Sequence, residues 1–202
     1  MTNLLIACAD VGSIANGNFG WAANDGEEGS DPLTLAIRVS AALNAGHQVA
    51  LGFECPLFVP VPAEMKNLGK GRDNEGNRPW SAGAGCAAMA TGLVQIAWTL
   101  QQIRRQCPGE VPVHFDLPAL TRDRGLLIWE AFVSGKSKGG SHIADAKRAV
   151  QAFENADGQR RNIFTDRPMS LAALALLWSG WDIDIDSVRR SCLTILIGET
   201  GD

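Results

Sequence analysis

The chain has 202 residues, 46% of them hydrophobic and 20% charged, with a formal net charge of −4. That length fits one domain with a real core, and the acidic balance excludes a general polyanion binder, so any nucleic-acid contact must use local basic patches. Five cysteines without a CxxC pair and three histidines far apart speak against a zinc site.

The opening MTNLLIACAD carries no basic segment ahead of a long apolar stretch, so no secretory signal is expected. Without a run of about 18 apolar residues, no membrane span is expected either. The expected compartment is the reducing cytoplasm. Residues 4–9 read as a strand that is apolar throughout, as in a sheet covered on both faces. A glycine- and asparagine-rich stretch follows, and a hairpin partner strand is expected around residues 18–23. Residues 25–29 read as a polar turn. Asp31-Pro32 predicts a helix start, with Asp as the cap and Pro at the first helical position. Leu33, Ile37, Ala41 and Asn44 mark its successive turns, and Gly46 its stop. The run VALGFE predicts a second buried strand, and strand, helix, strand at this spacing implies a right-handed crossover with parallel pairing.

Residues 55–85 read as an irregular insertion with four prolines and several glycines; a loop of that length in a compact domain is usually functional or mobile. Met89, Leu93, Ile96, Leu100 and Ile103 then repeat at helical spacing. VPVHFD and LLIWEAFVSG predict two more strands separated by a charged turn over residues 121–125. Ser141 caps a helix with Ile143, Ala146, Val150 and Phe153 on its inner face. SLAALALLWSG is apolar nearly all round and predicts a buried helix. SCLTILIG is either a last strand or the end of a helix starting near Asp186. One domain over residues 1–202 is expected, with an extension at about 157–202.

Three acids stand at junctions of these elements. Asp10 ends the first apolar run; it is either punctuation in a turn or a strand-end carboxylate facing a cleft. Glu54 follows five mostly apolar residues although glutamate is a poor strand former. If buried, it requires a cation, a hydrogen-bond partner or a proton. Asp145 lies in a first helical turn, where meeting the helix dipole is worth about 0.3–1 kcal/mol, and at the border of the apolar face. Strand ends and a helix start can bring such carboxylates to one point, where they repel unless a cation lies between them. Mg²⁺, which takes one or two carboxylates with waters and phosphates, is the default candidate. Glu130, inside LLIWEAF, is a fourth acid, or else an outward-facing strand residue. His142 is a capping-region residue, or one that contacts substrate or an attacking water. Asp116 is followed at once by a turn. Lys66, Lys70, Arg72 and Arg78 punctuate the insertion beside Trp80. They form either a solvated loop or a phosphate-gripping flap, with Trp80 stacking on a base or anchoring the loop.

The order of these pieces (ACADVGS with Asp10, GFECPL with Glu54, LIWEAF with Glu130, HIADAKRAV with His142 and Asp145) resembles the RNase H-like superfamily. It resembles in particular the predicted RNase H-like nucleases within it, over roughly residues 4–156. The resemblance implies an α/β fold with a mixed central sheet flanked by helices. It also implies a metal-dependent nuclease or phosphodiesterase with two Mg²⁺ or Mn²⁺ ions about 3.5–4 Å apart. Asp10 would bridge both ions, Glu54 and Asp145 would each hold one, and Glu130 or His142 would orient water. The implied partner is a nucleic acid or a smaller phosphoester. Two other readings stay open. One is a catalytically inert RNase H-like binding or assembly module, since fold does not fix function. The other is an actin-like ATP phosphotransferase, suggested by Asp10-Val11-Gly12, although that type needs a duplicated domain.

Overall fold

The computed structural model describes residues 4–75, 79–133, 139–155 and 163–197. Its frame is a mixed α/β sheet of seven strands. Strand β1 (Leu4–Asp10) turns back into β2 (Gly20–Ala23), which pairs antiparallel with it and then with β3 (Glu28–Gly29). Helix α1 (Pro32–Asn44) crosses over to β4 (Gln48–Phe53), which lies parallel beside β1. Strand β7 (Leu126–Val133) lies parallel on the far side of β4. Two strands share the outer edge of β7: β6 (Val113–His114) at its start and β9 (Leu193–Ile197) along its second half.

Helix starts follow their caps. Asp31 accepts the N–H groups of Leu33 and Thr34, with Pro32 opening α1. Ser141 accepts the Ala144 N–H at the head of α4 (His142–Glu154). Such caps satisfy backbone donors that a helix start leaves orphaned.

The sheet separates two apolar layers, and the period-2 alternation of its strands sorts residues between them. Leu5, Ala7 and Ala9 of β1, Val49, Leu51 and Phe53 of β4, and Leu126 and Ile128 of β7 belong to the larger core. That core lies under α1, α2 (Gly83–Gln106) and α5 (Leu171–Trp178). Ile6 and Cys8, Ala50, and Leu127, Trp129 and Ala131 face the other way, toward α4. Each fully buried aliphatic or aromatic side chain here contributes about 1.5–3 kcal/mol.

Several expectations are corrected. The polar turn at residues 25–29 contains β3, too short at two residues to show an alternation. Leu33 and Ile37 of α1 face outward, and Leu35, Ala36, Val39, Ala42 and Leu43 face the core. Leu35, Val39 and Leu43, at i, i+4 and i+8, form the buried stripe, and the series of Leu33, Ile37, Ala41 and Asn44 runs along the exposed face. The charged turn before β7 is the tail of a short helix, α3 (Leu117–Arg122), which Asp116 caps by accepting the Ala119 N–H at 2.8 Å. That crossover makes β6 and β7 parallel. In α5 the outer residues Leu174 and Trp178 are exposed. Of the two options for SCLTILIG, the structure has the strand, β9, preceded by a 3-10 turn at Ile185–Arg189. Helix α2 is long and apolar enough to cross a membrane by length and composition, though Ile96, Leu100 and Ile103 lie in the core and α2 packs on α1 and α5.

The insertion and the C-terminal extension meet each other. Strand β5 (Phe58–Pro60) pairs antiparallel with β8 (Pro168–Ser170), and Asp73 bridges Phe164 further along. Leu171 and Ala172 both donate their N–H to the Leu57 carbonyl, tying α5 to the chain just past Glu54.

Candidate metal centre

Strands β1 and β4 run side by side in parallel, with Ala9 opposite Phe53. The Glu54 N–H donates to the Ala9 carbonyl at 2.8 Å, extending the ladder one residue past β4. Asp10 and Glu54 therefore leave adjacent strands at one level. By the alternation that sends Cys8 and Ala50 toward α4, both side chains point to the α4 side of the sheet. There the first turn of α4 supplies Asp145 and His142. The carboxylates of Asp10, Glu54 and Asp145 each offer an oxygen, and these oxygens lie within 4.8 Å of one another. Asp10 and Asp145 are buried, and Glu54 is partly buried. His142, one-third exposed, places Nδ1 2.5 Å from Asp10 Oδ2. Asp145 Oδ1 accepts the Gly139 N–H.

Three oxygens from three carboxylates suit a hard cation. Octahedral Mg²⁺ holds ligands at about 2.0–2.1 Å, and Mn²⁺ shares its preference for oxygen. Oxygens within 4.8 Å of one another would close to about 2.9 Å as neighbours, or about 4.1 Å across the ion, to share it. The donor set fits the metal.

The acids leave a mark on a nearby thiol. Burial pushes the Cys8 thiol well above its ordinary pKa, and the Glu54 and Asp10 carboxylates push in the same direction. Burial likewise raises Cys55 and Cys192, with Glu130 the next cause for both. At neutral pH these thiols stay protonated, so they are poor ligands and poor nucleophiles.

Glu130 departs from its expected role of orienting water. On β7 it shares the alternation of Ile128, away from α4, and it is fully buried. It meets Arg72, for which a solvated loop and a phosphate-gripping flap were both open; its side chain is instead buried within the insertion. Arg72 Nη1 and Nη2 reach the two Glu130 oxygens at 2.8 Å each. Arg72 Nε and Nη2 donate to Glu75 Oε1 at 3.1 and 2.9 Å, and Nη1 also reaches the Phe58 carbonyl. All five guanidinium N–H donors are thereby used. Burial pulls the Arg72 pKa down, but the Glu130 and Glu75 carboxylates outweigh it and hold the charge. A guanidinium engaged in this way has no donor left for a phosphate.

Trp80 donates its backbone N–H to Glu75 and its indole Nε1 to the Lys70 carbonyl, so it anchors the insertion. Lys70 and Lys66 are exposed, and Lys66 pairs with Glu64. Arg78 lies outside the described residues. Glu75 escaped the sequence reading. One signal pointed toward this cluster: a glutamate inside an apolar strand must find a partner, and the insertion supplies an arginine.

Searches of family models, curated proteins and solved structures returned no match to this chain.

Proposed function

We propose that the protein is a divalent-metal-dependent phosphodiesterase of RNase H-like type, acting on a nucleic acid or a smaller phosphoester. The observation that carries this reading is the meeting of Asp10, Glu54 and Asp145, from two strand ends and a helix start, with oxygens within 4.8 Å. Those three residues would hold Mg²⁺ or Mn²⁺, alone or as a pair of ions. Bound there, the metal would polarise a phosphoryl oxygen and lower the pKa of a coordinated water. Asp10, at the junction of β1 with the α4 turn, has His142 on one carboxylate oxygen. His142 is exposed enough to meet an incoming substrate or water. The buried thiol of Cys8 forms part of an apolar floor below, which keeps the field of the acids strong. The net charge of −4 restricts a polyanionic substrate to local contacts.

Mn²⁺-dependent cleavage of single- and double-stranded DNA and RNA tests the reading. Asp10→Ala is expected to reduce it more than about 100-fold, beyond the cost of losing a residue that only supports a metal ligand. Undiminished cleavage by Asp10→Ala removes the assignment. A non-catalytic binding module is the second reading, favoured by the His142 contact, which already satisfies one Asp10 oxygen without an ion. It predicts no metal binding and no cleavage in the parent protein.

A further inference from the structure

We propose that the seating of the α4 first turn on Gly20 sets the size of the carboxylate site and tunes it to the smaller divalent cation, Mg²⁺ over Ca²⁺. This rests on the metal-centre reading above and adds a selectivity-setting residue to it.

Gly20 is the partner of Asp10 in the antiparallel β1–β2 ladder. Directly opposed residues in such a ladder project on the same face, so a side chain at position 20 would rise beside Asp10, toward α4. No room exists for one. A Cβ at Gly20 would stand 2.4 Å from the Ile143 nitrogen, 2.5 Å from the His142 carbonyl carbon and 2.9 Å from His142 Cβ. Two of these atoms are backbone of the α4 first turn, so no rotamer change relieves the contact. The turn would have to lift until the closest approach grew from 2.4 Å to at least 3.0 Å.

The rest of α4 need not follow. Ala146, Ala149, Val150 and Phe153 are buried further along the helix, most of them in the core shared with Ile6, Cys8 and Trp129. The Phe153 ring lies 4.9 Å from that of Trp129. Anchored there, the helix would tilt at its head. The lift would carry Asp145 away from Asp10 and Glu54, which stay on the sheet. A site widened by several tenths of an ångström serves the two ions unequally. Mg²⁺ requires near-octahedral ligands at about 2.0–2.1 Å, whereas Ca²⁺ accepts irregular ligands at about 2.3–2.6 Å.

The experiment compares Mg²⁺, Mn²⁺ and Ca²⁺ affinities of the full chain with those of Gly20→Ala, by calorimetric titration, beside a metal-free thermal melt. The expected result is a loss of Mg²⁺ affinity of about 10–100-fold, the range for residues that orient a ligand, with a smaller loss for Ca²⁺. A merely destabilising substitution would not change the ratio of the two. Gly125→Ala supplies that comparison: its Cβ would meet the Pro112 carbonyl oxygen at 2.1 Å, at the end of the sheet opposite the carboxylates. It should lower the melt and leave the Mg²⁺-to-Ca²⁺ ratio alone. If Gly20→Ala does not fold, Ser141→Ala decides, because it loosens the same turn by removing the acceptor of the Ala144 N–H. An unchanged Mg²⁺-to-Ca²⁺ ratio in the folded variant overturns the proposal while the metal centre stands. Absence of metal binding by the parent chain overturns both.

Discussion

Two clusters of acids lie near the same end of the sheet, and they solve the problem of negative charge in opposite ways. Glu130 and Glu75 close around Arg72 on the insertion side, fully buried, with each guanidinium donor used. Asp10, Glu54 and Asp145 gather on the α4 side with their oxygens facing one another and a part-exposed imidazole at one edge. The first arrangement satisfies itself and holds a loop in place. The second gathers three carboxylates at one point, the feature on which the proposed metal site rests. The sheet itself separates a structural ion cluster from a candidate reactive one, and the alternation along β4 and β7 decides which acid joins which.

The largest expected effect breaks the first cluster. Arg72→Met leaves Glu130 and Glu75 buried without their cation, and a cost of about 3–5 kcal/mol is expected for losing one partner of a buried pair. Urea unfolding measures it, and a loss under about 1 kcal/mol would mean the cluster is not a keystone. The second effect separates the clusters by their response to metal. At a concentration 100 times its dissociation constant, Mg²⁺ or Mn²⁺ should stabilise the parent protein by about 2.7 kcal/mol through linkage. In Asp10→Asn that gain should largely vanish, while Arg72→Met, where folded, should retain part of it. Thermal melts with and without metal read the difference. The smallest effect comes from an acid in neither cluster. Asp31 only caps α1, so Asp31→Ala should cost about 1 kcal/mol and leave the metal response untouched. A changed metal response in that variant would show that the readout does not distinguish a site from general stability.

Much of this was legible in the sequence because the deciding signals were local. Asp31-Pro32 and Ser141 each announce a helix within two or three residues of its start. Asp10 and Glu54 end apolar runs, so their place at strand ends could be read directly, as could the position of Asp145 in a first turn. What escaped depended on distant partners or on very short elements. The Arg72–Glu130 pair spans 58 residues and joins an irregular loop to a strand centre. Strands β5 and β8, three residues each, are too short for any pattern, and they come together only across most of the chain. The outward faces of Leu33 and Ile37 escaped for another reason: two series at helical spacing compete on α1, and the buried one, Leu35, Val39 and Leu43, is the one the reading passed over.

The thiols have a practical consequence. Cys8, Cys55, Cys107 and Cys192 are buried, and Cys86 alone is partly accessible. A maleimide dye should therefore mark Cys86 first and reach the others only when the molecule opens. Cys8 lies two residues before Asp10 and Cys55 directly follows Glu54, so the delay before they react clocks the opening of the candidate centre.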